Sequence, residues 1–306
     1  MENLKRLLER ESVGLSLRVF AGKPELVEKQ CEVTLALARK AADMHLDDGK
    51  TVFKNILLLV AEDKRRVDYD CGLSSEYLKN ALTKNPRTQI KIISCKQEDL
   101  FCGTLNLASA KLLRSGCKYM AVFSSLAHDY LDMQFMEDAS LAFSKGAVVA
   151  GLAIAELQQS ILDGLIANTS AVWDIEALTA VGGFDQCAEQ PFKKGHFGLF
   201  TDERLVQWVQ GQRLDGTDGF YPSAGVEEII PLIRLARKFD RQCIAPIMPS
   251  SGKVWEVPND PVALSRHHNK MATKRTRQEG MAQKVNADLS VLKDAVMNGY
   301  KQKKGA

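Results

Sequence analysis

The sequence holds no apolar run close to the roughly 18 residues that a membrane helix needs. Its longest runs, at 56–61 and 146–155, are strand-sized. The first ten residues alternate charge with leucine, so the apolar stretch and cleavage site of a signal peptide are missing. Seven cysteines (Cys31, Cys71, Cys95, Cys102, Cys117, Cys187 and Cys243) are scattered without a C-x-x-C pair. That argues against a disulfide framework or a zinc ribbon, and for reduced core thiols in a cytoplasmic chain. A large charge of one sign is also missing: 41 Lys and Arg face 38 Asp and Glu, a formal +3, so no whole-protein nucleic-acid field is expected. Nor does the chain carry G-x-x-x-x-G-K-[ST], G-x-G-x-x-G after its first strand, G-x-S-x-G or H-E-x-x-H. A P-loop ATPase and a Rossmann dehydrogenase are thereby disfavoured.

What is present is an ordinary globular composition, 45% hydrophobic and 26% charged over 306 residues, enough for one large α/β domain or two small ones. Apolar strand-like segments at 14–20, 55–61, 89–94, 119–123 and 147–155 alternate with helical periods at 24–44, 74–82, 106–114 and 132–145. A strand and a helix every 30 residues or so predict βαβ units and a mostly parallel sheet flanked by helices. In such sheets ligands lie beyond the carboxyl ends of the strands, which points to 21–23, 62–65, 96–103 and 124–129. Further on, helical stretches at 174–180, 202–210 and 226–239 surround a glycine-rich loop at 211–225, of a length that is often functional. From residue 265 onward ten Lys and Arg stand against three acids, a net +7 that leaves −4 for the rest. This tail reads as solvated or as drawn to an anionic membrane surface. Having Tyr300 as its one aromatic, it is poorly suited to nucleic acid.

Five segments in order resemble glycosyltransferases of the GT-A fold, family 2 in particular. Val19-Phe20-Ala21-Gly22 is similar to that family's first strand and short loop under the base. Leu59-Val60-Ala61-Glu62-Asp63 is similar to its V-V-D-D-G-S. Cys102-Gly103-Thr104-Leu105-Asn106-Leu107-Ala108 is similar to the helix start G-x-x-x-A-L-N. The best match is Ala171-Val172-Trp173-Asp174-Ile175-Glu176-Ala177-Leu178-Thr179-Ala180-Val181-Gly182-Gly183-Phe184-Asp185, which looks like F-R-R-E-A-L-E-A-V-G-G-F-D. Gly225-Val226-Glu227-Glu228, followed by Leu232-Ile233-Arg234-Leu235, looks like G-E-D-x-x-L-x-x-R-L.

The resemblance implies a GT-A-like domain over residues 12–250 with a basic helical extension over 251–306. It implies sugar transfer from a nucleotide-sugar donor to an acceptor hydroxyl. Phe20, Ala21, Gly22, Glu62, Asp63, Gly103, Asn106, Ser124 and Ser125 would hold the nucleotide, Trp173 and Asp185 would border the acceptor, and Glu228 with Glu227 beside it would supply the base. The plainer alternative for the two acids is a solvated pair at a helix start. Gly182-Gly183 reads as a tight turn. In one place the sequence departs from the family. Where D-x-D should hold Mn or Mg against the diphosphate, the chain reads Phe123-Ser124-Ser125-Leu126, and hydroxyls are poor substitutes for carboxylates. His128, Asp129, His267 and His268 are the alternative ligands. Lys64 or Arg65 could replace the cation, and a non-catalytic binding or scaffold module is the competing reading.

Overall fold

The computed structural model describes residues 12–19, 24–62, 72–84, 87, 89–96, 100–153, 165–167, 169–185, 226–239, 242–248 and 274–297. Seven strands form one sheet in the order β3-β2-β1-β4-β6-β5-β7. They are β1 (Val13–Val19), β2 (Phe53–Glu62), β3 (Ile90–Lys96), β4 (Tyr119–Phe123), β5 (Val149–Leu152), β6 (Ser170–Asp174) and β7 (Ile244–Ile247). β1, β2, β3 and β4 run parallel; β6 is antiparallel to both β4 and β5, and β7 is parallel to β5. The expected α/β architecture, a mostly parallel sheet flanked by helices, is observed.

Burial on both faces explains why the central strands are nearly pure aliphatic. In β1, Val13, Leu15, Leu17 and Val19 enter a core shared with α1 (Val27–Ala42), α2 (Leu73–Lys84) and α4 (Met133–Ser144). Gly14, Ser16 and Arg18 alternate to the other face. There α3 (Leu100–Arg114), α5 (Ile175–Ala180), α6 (Ile229–Phe239), α7 (Lys274–Lys284) and α8 (Ser290–Ala295) build the second core. Asp132 and Asp174 cap α4 and α5, accepting from the N–H groups of Phe135 (2.8 Å) and Ala177 (2.9 Å). α3 starts at Leu100, before the expected 106, because burial of Cys102, Leu105, Ala108 and Leu112 outweighs the helix cost of Gly103, about 1 kcal/mol.

Where the basic tail is described, Lys284 and Lys293 are exposed while its apolar residues are packed. Met281, Ala282, Leu289, Leu292 and Ala295 pack with α6 in the second core. Lys301, Lys303, Lys304, His267 and His268 lie outside the described residues, as do the stretches 1–11, 202–210 and 211–225. The five described cysteines, Cys31, Cys95, Cys102, Cys117 and Cys243, are free and buried. Among the described residues no helix is long and apolar enough to cross a membrane.

Candidate functional site

The strand order changes direction first at β1. From β1 the chain steps outward through β2 to β3, then returns to the far side of β1 as β4. The connections after β1 and β4 pass to the same face, where α1 and α4 share one core, and the carboxyl ends of the two strands lie side by side at the edge of the sheet beyond which α/β folds hold ligands. Leu17 pairs with Phe123 at the end of the β1–β4 ladder, so Arg18 and Ser124 are the next residues on each strand. Ser124 keeps an extended backbone (φ −92°, ψ 157°) and donates its N–H to Thr169 O at 3.0 Å. Side-chain alternation thus places Arg18 and Ser124 on the same face, toward α3. Both are half-buried. Ser125 opens the 3-10 turn Ser125–Tyr130.

The acid pair reaches this same edge from the other half of the chain. β7 runs in the direction of β4, and α6 feeds it, so α6 starts at the carboxyl edge of the sheet. Glu227 and Glu228 form the turn before that start, three residues later than the expected start of the helix. They are not the solvated pair of the plainer alternative: Glu227 is 9% exposed and Glu228 1%. Burying a carboxylate is costly, and the adjoining Val226, Ile229 and Ile230 are buried with them.

Four residues expected to meet ligands are engaged elsewhere. Asn106 Nδ2 donates to Phe184 O at 2.7 Å, and its Oδ1 accepts from Phe184 N at 2.8 Å. The Asn106 amide therefore holds the chain after the glycine turn and does not meet a nucleotide. Gly103 lies within the helix and is buried, so it contributes no loop amide to a phosphate. Trp173 is fully buried, packed edge-on to Phe184 with ring centroids 5.1 Å apart. Because β6 is antiparallel, Trp173 sits opposite Met120, three residues below the carboxyl end of β4, about 10 Å away. It cannot border an acceptor there. Asp185 pairs with Arg234 at 2.7 Å, about 9 Å down α6 from Glu228.

Gly182 and Gly183 have φ of +87° and +71°, the tight turn expected of them, and a Cβ at Gly183 would collide with the Asn106 amide. Phe20, Ala21, Gly22, Asp63, Lys64 and Arg65 lie outside the described residues, as does the side chain of Glu62, whose backbone ends β2. The residue that the sequence reading missed is Arg18. Its signal was legible as a lone charge inside an otherwise apolar strand.

The described residues do not fit a divalent cation. His128 and Asp129 pair with each other at 3.2 Å and are more than half exposed. No group of three or more His, Cys, Asp or Glu among the described residues can hold a metal. At the end of β4 stand two hydroxyls beside a guanidinium, and a cation there would meet like charge instead of carboxylate oxygens.

No family model matches the chain, and no curated protein matches it. Among solved structures it is similar to glucosyl-3-phosphoglycerate synthase from Mycobacterium tuberculosis in complex with Mn2+, UDP-glucose and phosphoglyceric acid. That likeness has 10% identity, covers 98% of this chain and 85% of that one, and has a TM-score of 0.43. It is also similar to a mannosyltransferase from Pyrobaculum calidifontis in complex with GDP-Man and Mn2+, at 10% identity, 90% and 75% coverage and a TM-score of 0.42.

Proposed function

We propose that this chain is a GT-A-like glycosyltransferase. A nucleotide-sugar donor would lie across the carboxyl ends of β1 and β4, and Glu228 would act as general base toward an acceptor hydroxyl. The acceptor oxygen attacks the anomeric carbon, its proton passes to the Glu228 carboxylate, and the bond to the nucleoside diphosphate breaks. What supports this reading is that the carboxyl ends of β1 and β4 and a buried acid pair share one edge of the sheet, from segments that the sequence keeps far apart. Glu62 at the end of β2 and Asp63 after it would meet the ribose or base. The acceptor then approaches from the side of α6, without Trp173.

The serines at the end of β4 favour a second reading, a non-catalytic module that binds a nucleotide. One experiment separates the two. Purified protein is given a panel of UDP- and GDP-sugars, with and without manganese, and both binding and release of nucleoside diphosphate are measured. Release above the spontaneous rate supports the transferase, binding without release supports the non-catalytic module, and neither binding nor release overturns both.

A further inference from the structure

We infer that Arg18 holds the donor diphosphate in the position where the metal would otherwise stand. The inference rests on the transferase reading above and concerns how its donor site handles negative charge. A diphosphate lying at the mouth of β1 and β4 brings at least two negative charges against the ends of those strands. The described residues there offer no carboxylate cage through which a cation could neutralise them. They offer a guanidinium instead.

The position of Arg18 is fixed by the two strands around it. It pairs with Leu59 of β2 in register, and its other neighbour, one step past the ladder, is Ser124 of β4. It is thus the last residue but one of the central strand, at the carboxyl edge of the sheet. The remainder of that face of β1 is Gly14 and Ser16, which have little or no side chain, so α3 can come close to the sheet. A Cβ at Gly14 would collide with Leu112. Moving four residues up β1 covers about 13 Å, equal to about nine residues back along the antiparallel α3. That brings Arg18 level with Gly103, the glycine in the first turns of the helix. Gly103 brings no side chain to that level of α3. The Arg18 Nε is sealed from solvent while the residue as a whole remains partly exposed.

Guanidinium is suited to this task. It stays charged at any working pH, presents paired donors to two phosphate oxygens, and needs no exchange of bound water. A sealed Nε also limits the rotamers available to it, so the charge is pre-placed where the departing diphosphate builds up its negative charge. Ser124 and Ser125 fit beside it as hydroxyl donors, a role that a pair of aspartates could not fill.

Calorimetric titration of uridine, guanosine, UDP and GDP tests the inference, using the full chain, Arg18→Gln and Arg18→Lys, each in EDTA and again in manganese. One diphosphate should bind the unaltered chain at least tenfold more tightly than its own nucleoside, and EDTA should leave that advantage in place. Arg18→Gln should erase it without changing nucleoside affinity, and Arg18→Lys should keep most of it. The EDTA arm needs no variant, so it decides even if Arg18→Gln does not fold. A diphosphate advantage that disappears in EDTA and returns with manganese overturns the role of Arg18, as does an Arg18→Gln chain that binds diphosphate as the unaltered chain does. In both cases the transferase reading stands. If neither nucleosides nor diphosphates bind the unaltered chain, that reading fails as well.

Discussion

The two edges of the sheet use polar residues differently. At the amino edge Asn55 sits at the centre of a local network. Its Nδ2 donates to Ser115 Oγ at 3.2 Å and lies 3.7 Å from Cys117 Sγ, its Oδ1 accepts from Lys91 Nζ at 3.2 Å, and Ser115 Oγ donates to Leu112 O at 2.8 Å. Together they join the end of α3, β2, β3 and the entry to β4. Such groups exist for the fold, since a buried amide left unpaired would cost about 1–3 kcal/mol. At the carboxyl edge stand an arginine and two buried glutamates, groups whose desolvation is far more expensive than that of an amide. Stability alone would favour aliphatic side chains there. One edge thus uses neutral amide and hydroxyl groups to hold the strands together, and the other gathers ionisable groups, the kind of cluster that marks a candidate site.

The sharpest way to break this contrast is at Glu228. Glu228→Gln should lower turnover on a confirmed acceptor by on the order of 10²-fold or more, as loss of a general base does, and leave nucleotide affinity unchanged. Glu227→Gln should be the milder of the two. Steady-state rates with parallel calorimetry check both, and full activity in both variants sinks the base assignment. Next in size is Asn106→Ala. It removes two hydrogen bonds to the Phe184 backbone and should cost about 2 kcal/mol in urea unfolding, with diphosphate affinity unaltered. Should nucleotide binding fall instead, Asn106 belongs to the chemical edge after all. The smallest effect is expected at the amino edge. Asn55→Leu replaces a partnered amide by an apolar group of similar size and should cost about 1 kcal/mol. Transfer rates should not change, and a lowered rate in a stably folded variant would blur the distinction between the edges.

Much of the scaffold is legible in the residues themselves. The apolar run at 55–61 lies within β2, and the segment at 119–123 coincides with β4. Strand direction is a different matter. Ser170–Asp174 has the same aliphatic texture whether it runs with its neighbours or against them. Only the pairing of Trp173 with Met120 shows that the tryptophan has been carried away from the carboxyl ends of β1 and β4. Similar reasoning applies to Asn106 and Gly183, 77 residues apart along the chain. A motif shows that both are needed, but not that they are needed for each other: the left-handed glycine turn presents the Phe184 peptide to the asparagine amide. The depth at which Glu227 and Glu228 lie is also beyond a sequence pattern, because it depends on segments packed around α6 that are distant in sequence. Arg18, by contrast, was available: a charge between Leu17 and Val19 in a strand paired on both sides requires a reason.

The joint between the C-terminal helices and β7 bears on how the protein behaves at high concentration. β7 is the last strand of the sheet, so one row of its backbone groups faces outward. The end of α8 and the two residues after it cover the start of that row: Cys243 N–H donates to Ala295 O at 2.8 Å, Met297 N–H donates to Ile244 O at 3.0 Å, and Val296 bridges to Ile244. An uncovered strand edge is a template on which another chain can add itself. The opposite margin, β3, carries the exposed Lys91, a charge of the kind that discourages such pairing. The basic C-terminal stretch therefore serves as a selvedge, finishing the sheet so that it does not extend from one molecule into the next.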